Sequence, residues 1–415
     1  MRVVIWLILL FAVAVVAALT LGDNDGLVSF FWAGRRVDMS LNFFVLATLA
    51  LGLVVVAVVR ALAALLSLPT RAAAWRERKN EQAAQSALRE SLTEFYAARY
   101  SRAHKAARRA LQIQSDTSDL VADHEFRALA YLLAADSLHK LQDRKRRDDA
   151  LQSALHAARA AGSGQAVADG ARLLGAEWAV DDRDPAQANA LLAELPAGVA
   201  RRTQALRLKL LAARLGRQTE QALHTARLLA KHQAFSAGAA KGLLRSLAFE
   251  LIDGSHDLDQ LRRAWQQLDA ADRRDAIVVA RAARRAVKLG AAQEARQWLQ
   301  PPWDDFANLG ADERRELALA LMQATEGIGA EWLPQLELAQ RNFPTDSALQ
   351  AAAGSVFAQR RLWGKARRPL ESAAMDPELN AAARRGAWRS LAQLAREEGD
   401  AERAARCDQA AAALD

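Results

Sequence analysis

Residues able to do chemistry are few and widely spaced in this chain. Four of its seven histidines, His104, His124, His139 and His156, lie close together in sequence, and imidazole is a common ligand of metals and of haem iron. Their separations of 20, 15 and 17 residues are not the i, i+4 spacing that puts two rings on one helix face, so ordinary helix histidines are expected. Cys407 is the single cysteine, which excludes an intrachain disulfide and a metal site of several thiolates. It is followed by Asp408, not by the proline seen in many haem-responsive sites. Asp23-Asn24-Asp25-Gly26 opens like a calcium loop, but Gly34 occupies the twelfth position, where a bidentate glutamate is needed, and the segment reads as a turn. Gly162-Ser163-Gly164 lacks the third glycine and following strand of a phosphate cradle and reads as a flexible turn between helices. Asp181, Asp182 and Asp184 precede a helix start and read as capping acids. Arg144-Lys145-Arg146-Arg147 could face anionic lipid or nucleic acid, yet without aromatic residues interleaved it reads as a solvated helix end. No G-x-x-x-x-G-K-[ST], G-x-S-x-G or H-E-x-x-H occurs. The expectation is a protein that is not an enzyme, with no catalytic residues, no metal and no cofactor.

The elements that would carry such residues are helices. The 415 residues are 52% apolar and 25% charged with only 6% aromatic. Alanine and leucine dominate; alanine gives up no side-chain entropy in a helix and lets helix axes approach closely. Val, Ile and Phe concentrate in the first sixty residues, separating a lipid-soluble head from a water-soluble body. The net charge is +8 and the sequence pI about 10.0, consistent with acidic phospholipid, nucleic acid or an acidic partner, but the excess is spread along the chain as Arg doublets.

In the head, residues 3–21 run without a charge, and a second such run covers 41–59. Each approaches the roughly 20 residues that cross a bilayer as a helix, and in lipid the backbone must satisfy its own hydrogen bonds. A two-helix transmembrane hairpin over 1–66 is therefore expected, with residues 22–40 as a periplasmic loop. Arg2 precedes the first run, and Arg60, Arg71, Arg76, Arg78 and Lys79 follow the second, whereas the loop's Arg35 and Arg36 are offset by Asp23, Asp25 and Asp38. Positive residues stay inside, so the body is expected in the cytoplasm. Phe30, Phe31 and Trp32 suit an interfacial aromatic belt, and Trp75 suits the inner side. Residues 67–81 read as a basic juxtamembrane linker, a helix leaving the membrane surface after Pro69.

From residue 82 to 415 small residues recur at the spacing of tetratricopeptide helix pairs, where two small positions seven apart let the second helix pack on the first. Tyr100 with Ala103, Ala107 and Ala110 is one set; Ala150, Ala154 and Ala157 another; Asp184-Pro185 with Ala188, Leu192 and Leu195 a third. Gly216 leads to Ala222, Ala226 and Leu229, and Gly290 to Ala295 and Leu299, followed by Pro301-Pro302. Trp363, Ala366, Leu370 and Ala373 follow Gly354 and Phe357, and the last set has Trp388, Leu391 and Ala392, a turn at Gly399-Asp400, then Ala404 and Ala411. Wide gaps place degenerate units around Leu261-Trp265-Leu268 and Trp332-Leu336-Phe343-Pro344, for about nine helix pairs. The fold class is all-α, a transmembrane hairpin followed by a tetratricopeptide-like solenoid. Such arrays bind peptides or partner helices in a groove lined by the first helix of each pair.

Gly26, Val28, Trp32, Arg36-Val37-Asp38-Met39-Ser40-Leu41, Leu68-Pro69 and Trp75, joined to Tyr100-Ser101-Arg102-Ala103 and to the late Leu362-Trp363-Gly364-Lys365-Ala366-Arg367, resemble the proteobacterial HemY family over nearly the whole chain. The family is a tetratricopeptide membrane protein associated with haem biosynthesis. The resemblance implies a non-enzymatic inner-membrane scaffold of a late porphyrin step, with haem-pathway enzymes as protein partners and membrane lipid around the hairpin. It does not imply the flavin-dependent protoporphyrinogen oxidase that shares the name, since no dinucleotide fingerprint is present. A general assembly factor for envelope complexes and a direct haem or porphyrin carrier are the alternatives. Nucleic acid is not an expected partner.

Overall fold

In the computed structural model of the chain the described residues are 26–118, 120–161 and 164–414. The expected first span, 3–21, and the Asp23–Asp25 turn lie outside them. Two compact units divide between Ser153 and Ala154.

The first unit opens with one small departure from an otherwise all-helical fold. Residues expected as a loop form an antiparallel hairpin of β1 (Leu27–Trp32) and β2 (Arg35–Ser40), with Leu27 opposite Ser40 and Trp32 opposite Arg35. Ala33 and Gly34 both have positive φ, 46° and 77°, the backbone of a two-residue turn whose twist matches that of the strands. Alternation sorts the side chains. Ser29, Phe31, Arg36 and Asp38 share one face, where Ser29 donates to Asp38 and Arg36 Nε lies 2.8 Å from Asp38. Those hydrogen bonds from Ser29 and Arg36 hold the Asp38 carboxyl below its ordinary range. Val28, Phe30, Trp32, Val37 and Met39 share the other, apolar face. The Leu41 amide donates to the Gly26 carbonyl at 2.8 Å and closes the base of the hairpin.

Helix α1 (Leu41–Tyr96) follows, with Ser40 Oγ accepting from the Phe43 amide as its N-cap. Its first part, Leu41–Ala63, has a mean hydropathy of 2.6 and none of it is buried. It is the one helix among the described residues long and apolar enough to cross a bilayer. The helix continues without a break to Tyr96, passing through both ends of the expected linker 67–81. Beyond residue 80 the face carrying Ala84, Ala87 and Ser91 is buried and packs on α2 (Tyr100–Ser115) through Ala103, Ala107 and Ala110. Small side chains on both helices allow that approach, and Ser91 Oγ donates to the Ala103 carbonyl at 2.7 Å. Asn80 Nδ2 donates to Thr117 Oγ1 at 3.1 Å and pins the other end of α2. Helices α3 (His124–Lys140) and α4 (Arg144–Ala160) form the next pair.

In the second unit the pairs are α5 (Gln165–Asp181) with α6 (Pro185–Ala193), then, after the one-turn α7 (Ala197–Ala200), α8 (Thr203–Leu215) with α9 (Thr219–Lys231). There follow α10 (Ala237–Asp253) with α11 (Leu258–Gln267), α12 (Ala276–Lys288) with α13 (Ala292–Asp304), and α14 (Ala311–Gln323) with α15 (Trp332–Asn342). The last two are α16 (Ser347–Gln359) with α17 (Trp363–Met375), and α18 (Ala381–Glu397) with α19 (Ala401–Ala412). Counting the two pairs before them, the described residues hold nine pairs. First helices stack on first helices through α12, α14, α16 and α18, so each pair buries its apolar stripe on its neighbours. The alanines with the repeat spacing, Ala188, Ala222, Ala295 and Ala366, are fully buried. Between Gly354 and Leu370 the approach is so close that a Cβ on the glycine would stand 2.7 Å from Leu370 Cγ.

The turn inside most pairs has one geometry. A left-handed residue, Ala98, Gln142, Arg183, Arg217, Gly290, Arg361 or Gly399, follows the first helix. The next amide bonds back into that helix, as Asp143 N–H does to Leu138 O at 3.0 Å and Leu362 N–H to Phe357 O at 2.8 Å. Gly216 itself has φ −79°, and the left-handed position falls on Arg217. Pro301-Pro302 lie inside α13; the helix runs to Asp304 and Trp303 is buried against Phe306 and Trp332.

Candidate functional site

Helical periodicity builds one groove in the first unit. On α2 the stripe His104, Arg108, Leu111 and Ser115 runs alongside the buried alanines, with Lys105, Arg109 and Gln112 further round the helix. Tyr131, Ala134 and Leu138 of α3 form the floor, and Arg146, Asp149, Ala150 and Ser153 of α4 the far wall. The groove measures about 690 Å³. Its walls are second helices of two successive pairs, whereas first helices were expected to supply the lining; here α3 contributes only the floor.

Four cations and one carboxylate line it. Arg146 is taken up by Asp143, with Nη2 2.5 Å away, and this hydrogen bonding holds the Asp143 carboxyl below its ordinary range. Arg109 approaches Glu90 only to 3.8 Å. Lys105 and Arg108 are exposed and make no salt bridge to any described residue. His104 Nδ1 is buried without a hydrogen-bond partner. Burial holds His104 below the ordinary imidazole range; Arg146 and Arg108 act the same way, and the Ala134 backbone and Asp143 oppose them.

The other histidines do not join His104. His124 begins α3, and its Nδ1 is also buried without a partner. His139 ends the same helix, about 22 Å away at 1.5 Å per residue, with its Nδ1 3.2 Å from Arg147 Nη1. His156 is exposed in the second unit. Among the described residues no three of His, Cys, Asp and Glu come together as a metal site would require. Cys407 is buried, and burial raises its thiol pKa, which leaves it a poor nucleophile.

The basic run 144–147 separates once folded. Arg146 lines the groove, while Arg147, read as part of a solvated end, is buried and lies 2.8 Å from Asp148. The reason is that α4 turns one residue in four towards α3. Of the three acids read as caps, Asp184 does cap α6, accepting from the Gln187 amide at 3.0 Å, but Asp181 and Asp182 end the preceding helix. Gly162 and Ser163 lie outside the described residues.

Two polar features of the second unit had no signal in the reading of single segments. Charges 28 to 32 positions apart pair across successive repeats: Arg281 with Asp253, Lys365 with Glu337, Arg262 with Glu294, Arg245 with Asp275, Arg403 with Glu371. Arg296 is buried and donates to the carbonyls of Ala324 and Glu326, both at 2.6 Å, and of Gly327 at 3.2 Å. It thus holds the connector between α14 and α15, inside the seventh pair.

These elements define a helical-repeat protein whose first repeat grows out of a membrane-length helix. Residues 26–142 match the family model described as HemY protein N-terminus. No curated protein matches the chain. Among solved structures it is similar to the human IFIT1 dimer with PPP-AAAA, at 14% identity over 71% of each chain and a TM-score of 0.27. It is also similar to the P58(IPK) TPR domain, at 12% identity over 76% of this chain and 99% of that one, with a TM-score of 0.25.

Proposed function

We propose that the protein is a non-enzymatic scaffold of the bacterial inner membrane that gathers enzymes of a late haem (porphyrin) step on a cytoplasmic helical-repeat surface. One observation carries the reading. Helix α1 is at once the membrane-length apolar segment and the first helix of the first repeat, so the first repeat is continuous with the anchor. The stacked helix pairs and the ion pairs that link them support a scaffold role. The haem-pathway assignment rests on the resemblance to the HemY family. The apolar hairpin face, with Trp32 83% exposed and Phe30 against Phe44 at 5.6 Å, suits the lipid–water boundary where the helix enters.

Photo-crosslinkers placed on exposed positions of α2, α4 and α9 in native membranes test it, together with porphyrin analysis of a deletion strain. Recovery of porphyrin-pathway enzymes and accumulation of a porphyrin intermediate are expected. Recovery of secretion or cell-wall proteins with a normal porphyrin profile would replace the reading with a general envelope assembly role.

A further inference from the structure

We infer that the groove between α2 and α4 is the docking site for a carboxylate-rich segment of a soluble protein partner. This rests on the scaffold reading and names the chemistry of one of its partners.

The charge is unbalanced where a ligand would lie. Lys105 and Arg108 project from α2 with no internal acid to neutralise them, Arg109 has a distant one, and Arg146 reaches in from the opposite wall. The free charge therefore stands on the α2 wall, since across the groove Arg146 is held by Asp143 and Asp149 adds one carboxylate. Lys105, Arg108 and Arg109 above a Tyr131 and Leu138 floor match a chain of Asp or Glu side chains, and guanidinium binds carboxylate in bidentate fashion. The groove volume, about 690 Å³, accepts a short peptide segment.

Anionic lipid would satisfy the same cations, but α1 acts as a ruler against it. Ser91 and Asn80 fix α2 alongside the far part of α1. The apolar segment ends at Ala63, so at 1.5 Å per residue the groove lies roughly 25–40 Å further along the helix. That is several times the Debye length of about 8–10 Å at physiological salt. Nucleic acid would want successive aromatic platforms, and Tyr131 is the one Phe, Tyr or Trp in the lining.

The test uses the full chain in nanodiscs and a fluorescein-labelled twelve-residue peptide alternating Glu with Gly and Leu, read by anisotropy, with a Gln-for-Glu analogue, phosphatidylglycerol vesicles and a single-stranded oligonucleotide as competitors. Binding of the Glu peptide is expected to weaken at least tenfold in K105E/R108E, whose exposed positions leave the fold intact, and to stay within twofold in the control K231E/R214E. Raising salt from 50 to 300 mM should weaken it further. Equal affinity for the Gln analogue, unchanged affinity in K105E/R108E, or stronger displacement by vesicles or oligonucleotide than by unlabelled peptide would overturn the assignment. The scaffold reading fails separately: if K105E/R108E still crosslinks porphyrin enzymes in membranes, the groove assignment falls and the scaffold stands.

Discussion

Replacing Gly354 by alanine should destabilise the repeat array although alanine is the better helix former. In an exposed helix interior the change gains about 0.5–1 kcal/mol. At Gly354 the new methyl would sit 2.7 Å from Leu370 Cγ, 2.9 Å from Cδ2 and 3.1 Å from the Leu370 amide nitrogen. A branch carbon and a backbone atom cannot swing aside, so α16 and α17 must separate, and overpacking of this kind costs about 1–3 kcal/mol. The balance is roughly 1–2 kcal/mol against folding. Gly242 of α10 has nothing within 4 Å of its would-be Cβ, and Gly242→Ala should gain about 0.5–1 kcal/mol from the same chemistry. Gly386 meets only the mobile tip of Met322 at 2.7 Å and should fall between the two. Urea unfolding of the detergent-solubilised chain, followed by helical circular dichroism, reads all three. If Gly354→Ala were as stable as Gly242→Ala, the close approach of α16 and α17 would be wrong.

Arg361 holds a left-handed φ of 57°, a strain glycine does not feel, so Arg361→Gly should raise the thermal midpoint by the equivalent of about 0.5–1 kcal/mol; a fall in a thermal melt would refute the turn geometry. Arg296→Met keeps the aliphatic stem but strands the carbonyls of Ala324, Glu326 and Gly327, for a loss of roughly 2–4 kcal/mol, with amide exchange rising first in residues 324–331. His104 is held below its ordinary value of 6.5, so the unfolded chain takes up a proton at higher pH than the folded one. Its contribution to stability is present above pH 6.5 and lost as the pH falls below it, and melts at pH 8 and 5.5 should differ more for wild type than for His104→Gln.

What was legible in the sequence was what local periodicity encodes. The alanines at 103, 188, 222, 295 and 366 are buried where two helices approach, because small side chains seven apart fall on one helix face whatever the rest of the chain does. The apolar run from Leu41 is a bare helix, because length and hydropathy alone decide that. The hairpin at Leu27–Ser40 escaped notice because its turn uses Ala33-Gly34 where Asn-Gly is the usual signal, and because apolar residues beside a membrane span read as loop anchors. The left-handed turns were equally silent, since Arg183, Arg217 and Arg361 occupy positions where glycine would have marked them.

The groove and the buried polar groups were decided by tertiary structure alone. Arg146 and Arg147 are neighbours of the same type, yet one faces solvent in the groove and the other sits beside His139 in the interior; a helix assigns them different faces, and only the position of α3 says which face is inside. The ion pairs between repeats and the clasp of Arg296 join residues about thirty positions apart. Helix periodicity is a property of a few turns and fixes which side chains share a face, whereas burial and charge pairing depend on what is laid against that face, and that partner comes from another part of the chain.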